Sequence, residues 1–197
     1  MAVYGITFAE EMSGPFALGS SNPEIGAKLG RERGHTLVMR ASINIDNIDQ
    51  FIDDEEHAGK IAGTLDFTPF GSAIKARKGV FKLFAPVHGR ETKRMDYEFG
   101  FEHNGRPWYL AGHKIVHDDP GLDLLVDTTT LYTCLHEGPD AHAPVAGAGI
   151  LTLGVWELIS LLRTLRATGA DVDAGRAAAL VRFGKFFAGE LWDTYGP

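Results

Sequence analysis

Lys114 is the residue with the clearest capacity for chemistry, because the sequence predicts it on an apolar face of a strand. A lone ammonium on such a face loses its hydration and needs a partner. It could bind a carboxylate or an enolate, or form a Schiff base with a carbonyl group. The structural alternatives are a lysine that extends from the barrel rim into water, or a bulge at Gly112 that turns it outward.

Asp127 is the partner that the sequence offers to Lys114, since it opens the next predicted strand. If the protein is an enzyme, we expect Lys114 and Asp127 to be its catalytic residues. Thr129 adds a hydroxyl and is a predicted ligand-binding residue, although the threonines of this strand are also typical β-formers. Leu131 and Leu135 favour the odd-numbered face as the inner one.

A predicted β-hairpin positions Lys114. Residues 95–102 alternate between apolar and polar types, and Asn104-Gly105 separates them from a second strand. Asn-Gly favours a two-residue type I′ turn, because both central residues of that turn have positive φ. Directly opposed residues share a face, which predicts the pairs Phe101–Trp108, Phe99–Leu110, Tyr97–Gly112 and Met95–Lys114. The predicted ligand-binding wall therefore consists of Tyr97, Phe99, Phe101, Trp108 and Leu110, with Lys114 at its far end.

Further alternating segments bring the number of predicted strands to about eight. They cover residues 3–9, 37–46, 61–67, 73–85, 127–136 and 145–153. The glycine-rich stretch 13–34 is predicted as a flexible connection or as a lid over a pocket, with a short helix from 23 to 31. Asn47 is a predicted helix cap. Two amphipathic helices are predicted at the end of the chain, the first stopping near Gly169 and the second starting at Asp171 or Asp173.

This order of elements predicts an α+β, mainly β, fold: an antiparallel up-and-down β-barrel with two C-terminal helices. Closure of consecutive strands removes exposed edges, and about eight strands leave room for packed side chains or one small ligand. The shape would be calycin- or lipocalin-like, although the lipocalin G-x-W signature is missing. We expect one domain over residues 1–197, with a helical segment at 155–195. A two-sheet sandwich is the alternative.

Composition and charge exclude several classes of partner. The net charge of −7 argues against nucleic acid, which requires a basic surface. No apolar run approaches the roughly 20 residues that span a bilayer. Cys134 is the single cysteine, and no signal peptide is visible, so we expect a reducing, cytoplasmic location.

We expect no cofactor and no metal. The flavin fingerprint G-x-G-x-x-G, the phosphate-binding loop and the G-x-S-x-G nucleophile elbow are all absent. His113 and His117 are four residues apart, but on a strand this spacing separates them by about 13 Å. No set of His, Cys and carboxylates has the spacing of a tetrahedral zinc site.

Several stretches distributed over nearly the whole chain resemble one family. They are Phe8-Ala9-Glu10-Glu11-Met12-Ser13-Gly14, Arg94-Met95-Asp96-Tyr97, Gly112-His113-Lys114, Asp118-Asp119-Pro120-Gly121, the segment 127–133, Arg182-Phe183-Gly184-Lys185-Phe186-Phe187 and the segment 190–195. The chain resembles the β-rich accessory domain found in large proteins beside a flavin-dependent, cholesterol-oxidase-like (glucose–methanol–choline) oxidoreductase domain and an α/β-hydrolase domain. The resemblance implies sterol or lipid chemistry in such partner proteins, not in this chain.

Three functions are compatible with these features. The favoured one is a barrel that binds a small apolar molecule, steroid-, lipid- or polyketide-like, on its aromatic wall. The second is a cofactor-free isomerase or cyclase that uses Lys114 and Asp127 in the same cavity. The third is a barrel filled by its own side chains that docks onto a protein partner, such as an oxidoreductase or hydrolase.

Overall fold

Nine strands and three helices are found in the computed structural model, which describes residues 2–87, 92–116, 129–154, 160–161, 163–169 and 173–195. The side chains of Lys78 and residues 191–195 are not part of that description. The strands are β1 (Tyr4–Leu18), β2 (Thr36–Ile45), β3 (Ala58–Phe67), β4 (Gly71–Pro86), β5 (Lys93–His103), β6 (Arg106–Val116), β7 (Thr130–His136), β8 (Val145–Thr152) and β9 (Arg166–Gly169). The helices are α1 (Pro23–Arg33), α2 (Ile48–Asp53) and α3 (Asp173–Tyr195). None of the described helices is long and apolar enough to cross a membrane.

The sheet closes into an up-and-down barrel, as the sequence predicts. Strands β2 to β8 pair with their neighbours in chain order, and β1 pairs with both β2 and β8. All of these pairings are antiparallel, so β1 to β8 form a closed eight-stranded barrel. Closure pairs the strands on both sides and rules out the two-sheet sandwich.

Strand β1 is twice as long as the sequence analysis predicts. It was expected to end at Ala9, with a glycine-rich connection from Ser13, whereas residues 13–18 pair with β2 or β8. The apolar alternation in fact continues past Ala9, because Met12 and Phe16 are fully buried inside the barrel. The helix that follows matches its prediction closely, and Asn22 caps it by accepting a hydrogen bond from the amide of Ile25.

The C-terminal segment differs from its prediction just before Gly169, where a strand replaces the end of the predicted helix. Residues 160–161 and 163–164 are helical, but the predicted helix does not continue to Gly169. Residues 166–169 instead form β9, which pairs with Tyr4–Thr7. Residues Tyr4–Thr7 of β1 do not pair with β8, so the backbone groups along that edge pair with β9. Residues 166–169 therefore form a strand and not a last turn of helix.

Aromatic clusters fill both ends of the barrel. At the turn end, beside the Asn104–Gly105 turn, the cluster consists of Phe16, Phe67, Phe70, Phe101, His103 and Trp108. At the helix end, α2 and α3 bring together Phe8, Phe51, His57, Phe84, Phe183, Phe186 and Phe187. The polar residues described next lie between these two clusters.

Candidate functional site

The central hairpin has the predicted register throughout. Asn104 and Gly105 have φ values of 51° and 72°, as a type I′ turn requires. Phe101 pairs with Trp108, and the pairing continues without a bulge to Met95 and Lys114. Every second residue of each hairpin strand therefore lies inside the barrel.

The predicted ligand-binding wall lies inside the barrel and is closely packed. Phe99 and Leu110 are 1% exposed, and Trp108, the most exposed member, is 8% exposed. Tyr97 packs edge-on against Phe81, with ring centroids 5.1 Å apart. The wall is thus apolar and aromatic along most of its length, and its polar atoms are the indole nitrogen of Trp108 and the hydroxyl of Tyr97.

Lys114 is buried at the predicted position. Its side chain is 2% exposed, so it neither extends into water nor turns outward at Gly112. The ammonium donates a hydrogen bond to the Tyr97 hydroxyl, with Nζ 3.0 Å from Oη, and lies 4.8 Å from the centre of the same ring. Asp127, the expected partner, lies outside the described residues.

Glu10 is the carboxylate that the structure places at this site, and the sequence analysis missed it. It is 6% exposed and lies on β1, on the opposite side of the barrel from β5 and β6. Its Oε1 atom is buried and has no hydrogen-bond partner among the described residues. The signal was present in the sequence, because Glu10 continues the inward-facing series Ile6, Phe8 and Met12.

Burial shifts the pKa values of Tyr97 and Lys114, and the charge of Glu10 affects both residues. Burial, and then the nearby negative charge of Glu10, raise the pKa of Tyr97 well above its usual range. Burial lowers the pKa of Lys114, and the negative charge of Glu10 acts in the opposite direction. The polar bridge, as we call Glu10, Tyr97 and Lys114, therefore spans the apolar interior of the barrel.

Strand β7 presents its odd-numbered residues to the interior. Leu131 and Thr133 are fully buried, whereas Tyr132 and Cys134 are only partly buried on the outer face. Thr129, a predicted ligand-binding residue, is half-buried just before β7, and its carbonyl accepts a hydrogen bond from the amide of Leu153. Whether Thr129 also binds a ligand stays a prediction.

A second group of charges lies on the outer face of the same hairpin. Arg94 binds both carboxylate oxygens of Asp96, at 2.7 and 3.0 Å, and Asp96 pairs across the strands with His113. With Cys134 they line a groove of about 200 Å³. Burial lowers the pKa of His113, which favours its neutral form. Arg94 and Asp96 both lie on β5, so each of these two charges has its counter-ion in the same strand.

No cluster of three or more His, Cys, Asp or Glu side chains arranged to hold a metal ion occurs within the described part of the chain. Comparison of the chain with protein-family models, with curated proteins and with solved structures found no match.

Proposed function

We propose that the barrel binds a small, largely apolar molecule carrying one polar oxygen group, which meets the polar bridge. The observation that carries this proposal is the bridge itself: a lysine, a glutamate and a tyrosine, each at most 6% exposed, inside an aromatic barrel. The rings of Phe99, Phe81 and their neighbours would contact the apolar body of the ligand. Lys114 would donate to its oxygen.

The energetic cost of burying these charged groups supports a functional role for the polar bridge. Removing charges from water costs several kcal/mol per ion, and well-packed apolar side chains often stabilise a fold equally well or better. Elsewhere each of the strands β1 to β8 contributes apolar residues to the core, and Thr133 is the uncharged polar residue already described on the inner face of β7. A chain that keeps two ionisable groups and a phenol at its centre gives up stability there, which is typical of binding and reactive sites.

The unpartnered Glu10 Oε1 indicates where the ligand would add a contact. A buried carboxylate oxygen without a donor is costly, and native proteins leave few such atoms unsatisfied. A hydroxyl group of a ligand, or a water molecule that accompanies it, would complete this carboxylate. The inner wall is closely packed, so ligand entry requires its side chains to move apart.

On the family resemblance of the sequence, we further propose that the ligand is steroid-, lipid- or polyketide-like and that the barrel works beside an oxidoreductase or hydrolase. A cofactor-free isomerase remains the second candidate, with Glu10 in the role given above to Asp127. The polar bridge favours it, because a carboxylate base facing hydroxyl and ammonium donors is the arrangement that enolisation of a ketone uses.

Titration with the apolar fluorophore Nile red, followed by displacement with progesterone and with a long-chain fatty acid, tests the binding proposal. We expect saturable one-to-one binding to the wild type. The Glu10→Gln/Lys114→Met double variant should bind at least about tenfold more weakly, since a hydrogen bond to a charged group contributes about 1.5–3 kcal/mol.

Lys60→Met is the matched control, because Lys60 is an exposed lysine that pairs with Asp46 outside the barrel. Its affinity for each probe should equal that of the wild type. Absence of saturable binding to the wild type would contradict the proposal and would favour a filled barrel that docks onto a protein. Equal affinities for the wild type and the double variant would remove the polar bridge from the site.

A further inference from the structure

We propose that the ligand is an aldehyde or ketone and that Lys114 holds it covalently as an imine, with Tyr97 and Glu10 moving the protons. The inference rests on the binding function proposed above and names the chemical class of the ligand. It depends on the order of the three groups across the barrel, with the Tyr97 hydroxyl between the ammonium and the carboxylate.

The contacts of Tyr97 define a path for a proton. Its hydroxyl oxygen accepts a hydrogen bond from Lys114, so its own proton is free to face the Glu10 carboxylate. Lys114 can pass a proton to the Tyr97 oxygen while Tyr97 passes its proton to Glu10. The result is a neutral amine and a neutral carboxylic acid. In an apolar interior this exchange removes two buried charges, which offsets part of the cost of moving the protons.

A neutral amine inside the aromatic wall can attack a bound carbonyl group. The nitrogen lone pair forms a bond with the carbonyl carbon, and the π electrons of the C=O bond move to oxygen. That oxygen takes up a proton from nitrogen through the surrounding groups, giving a carbinolamine. The nitrogen lone pair then expels the hydroxyl as water, and the departing oxygen takes the proton held on Glu10. A protonated imine and a Glu10 carboxylate remain, so atoms and charge balance without an oxidant or reductant.

The same geometry explains why the lysine is placed here and not on the surface. An exposed amine is protonated at neutral pH, whereas burial lowers the pKa of Lys114. Aromatic clusters fill both barrel ends, and a site closed in this way would protect an imine from hydrolysis. The unpartnered Glu10 Oε1 leaves one carboxylate oxygen free to contact the departing hydroxyl group.

Reductive trapping with trans-cinnamaldehyde tests the inference, with cinnamyl alcohol as a ligand of the same shape that lacks the carbonyl. The wild-type chain is incubated with each compound and sodium cyanoborohydride, and the intact mass and peptide masses are measured. We expect one cinnamyl group per chain, located on Lys114, from the aldehyde only. Tyr97→Phe keeps the amine but breaks the proton path, so its adduct should form about 100-fold more slowly.

Two further variants keep the result interpretable. Lys114→Arg retains a positive charge beside Glu10 but has no reactive amine, so it should form no adduct at that position. Lys60→Arg changes only an exposed lysine and should label like the wild type. Adducts on exposed lysines alone, or an unchanged rate in Tyr97→Phe, would overturn the inference.

Nile red displacement by both compounds separates this inference from the binding function. If both compounds displace the dye and no adduct forms on Lys114, the binding function stands and the covalent step is wrong. If neither displaces the dye and Lys114 is not labelled, the covalent inference fails, and the dye titration alone decides the binding function.

Discussion

A carboxylate that is almost inaccessible to water lies at each face of the central hairpin, and the two carboxylates have different partners. Asp96 on the outer face is 4% exposed and is held through both oxygens by Arg94, which itself reaches solvent. Glu10 meets the inner face at 6% exposure, and one of its oxygens has no partner among the described residues. The outer pair satisfies itself, whereas the inner carboxylate keeps an open hydrogen-bonding position. An open position inside a barrel is what a ligand can use.

The largest expected effect is that of Lys114→Met on stability. The change leaves the buried Glu10 carboxylate without the nearby ammonium. Removing one partner of a buried ion pair costs about 3–5 kcal/mol, and this value is an upper bound here because the Tyr97 hydroxyl separates the two groups. The double variant Glu10→Gln/Lys114→Met should recover most of that loss, because no charge remains to be compensated. Urea unfolding of the wild type and of both variants measures the difference. Equal losses in the single and double variants would show that the charges do not interact, and the comparison of the two faces would fail.

Arg94→Met on the outer face should have a smaller effect. Arg94 is half-exposed, so water can replace part of its contact with Asp96. We expect a loss of about 1–2 kcal/mol in the free energy of unfolding, in the range for a hydrogen bond to a charged group. The same urea experiment applies. A loss as large as that of Lys114→Met would mean that the outer carboxylate is as poorly solvated as the inner one.

The pH dependence of Asp96→Asn should reveal an effect of less than about 1 kcal/mol. Burial raises the pKa of Asp96 above its ordinary 3.8, although Arg94 opposes the shift. The folded state therefore binds this proton more tightly than the unfolded state. Its contribution to stability is complete below pH 3.8 and is lost as the pH rises through the folded pKa. The unfolding free energy of the wild type minus that of Asp96→Asn should thus fall as the pH rises above 3.8. A difference that rises over this range would show that Arg94 dominates and that the folded pKa is low.

Lys60→Met gives the baseline and the smallest effect. The ion pair of Lys60 with Asp46 is exposed, with 64% and 53% of the two side chains accessible. Such pairs contribute about 0–1 kcal/mol, so the free energy of unfolding should change by less than about 0.5 kcal/mol. Thermal and urea unfolding check this value. A substantial loss here would mean that exposed pairs stabilise this barrel and that burial does not separate the two faces.

The hairpin and its inner wall were predictable because their signals are local. The Asn104-Gly105 dipeptide and a period of two fix the turn, the register and the inward position of Lys114 without knowledge of the rest of the fold. Glu10 was not predicted, since a carboxylate in an apolar alternation is usually taken as the end of a strand. Its contact with Tyr97 crosses the barrel between strands that do not pair, and no short-range pattern encodes such a contact.

Strand β9 also could not be predicted from local sequence patterns. Apolar spacing up to Leu165 predicts a helix that continues to Gly169, but residues 166–169 instead pair with the edge of Tyr4–Thr7 that β8 does not reach. A hydrogen-bonding demand from the far end of the chain thus overrides local propensity.

The long strand β1 also has a consequence for how the chain folds. It pairs with β2 soon after synthesis, but its other neighbours are β8 and β9, near the opposite terminus. At about 5–20 residues per second, a ribosome completes β1 about 6 to 25 s before β8 emerges. During that interval one edge of a strand that carries Ile6, Phe8 and Met12 has no native partner. Non-local pairing of this kind slows folding to milliseconds or seconds even in a complete chain. One edge of β1 should therefore stay exposed until β8 and β9 have been synthesised.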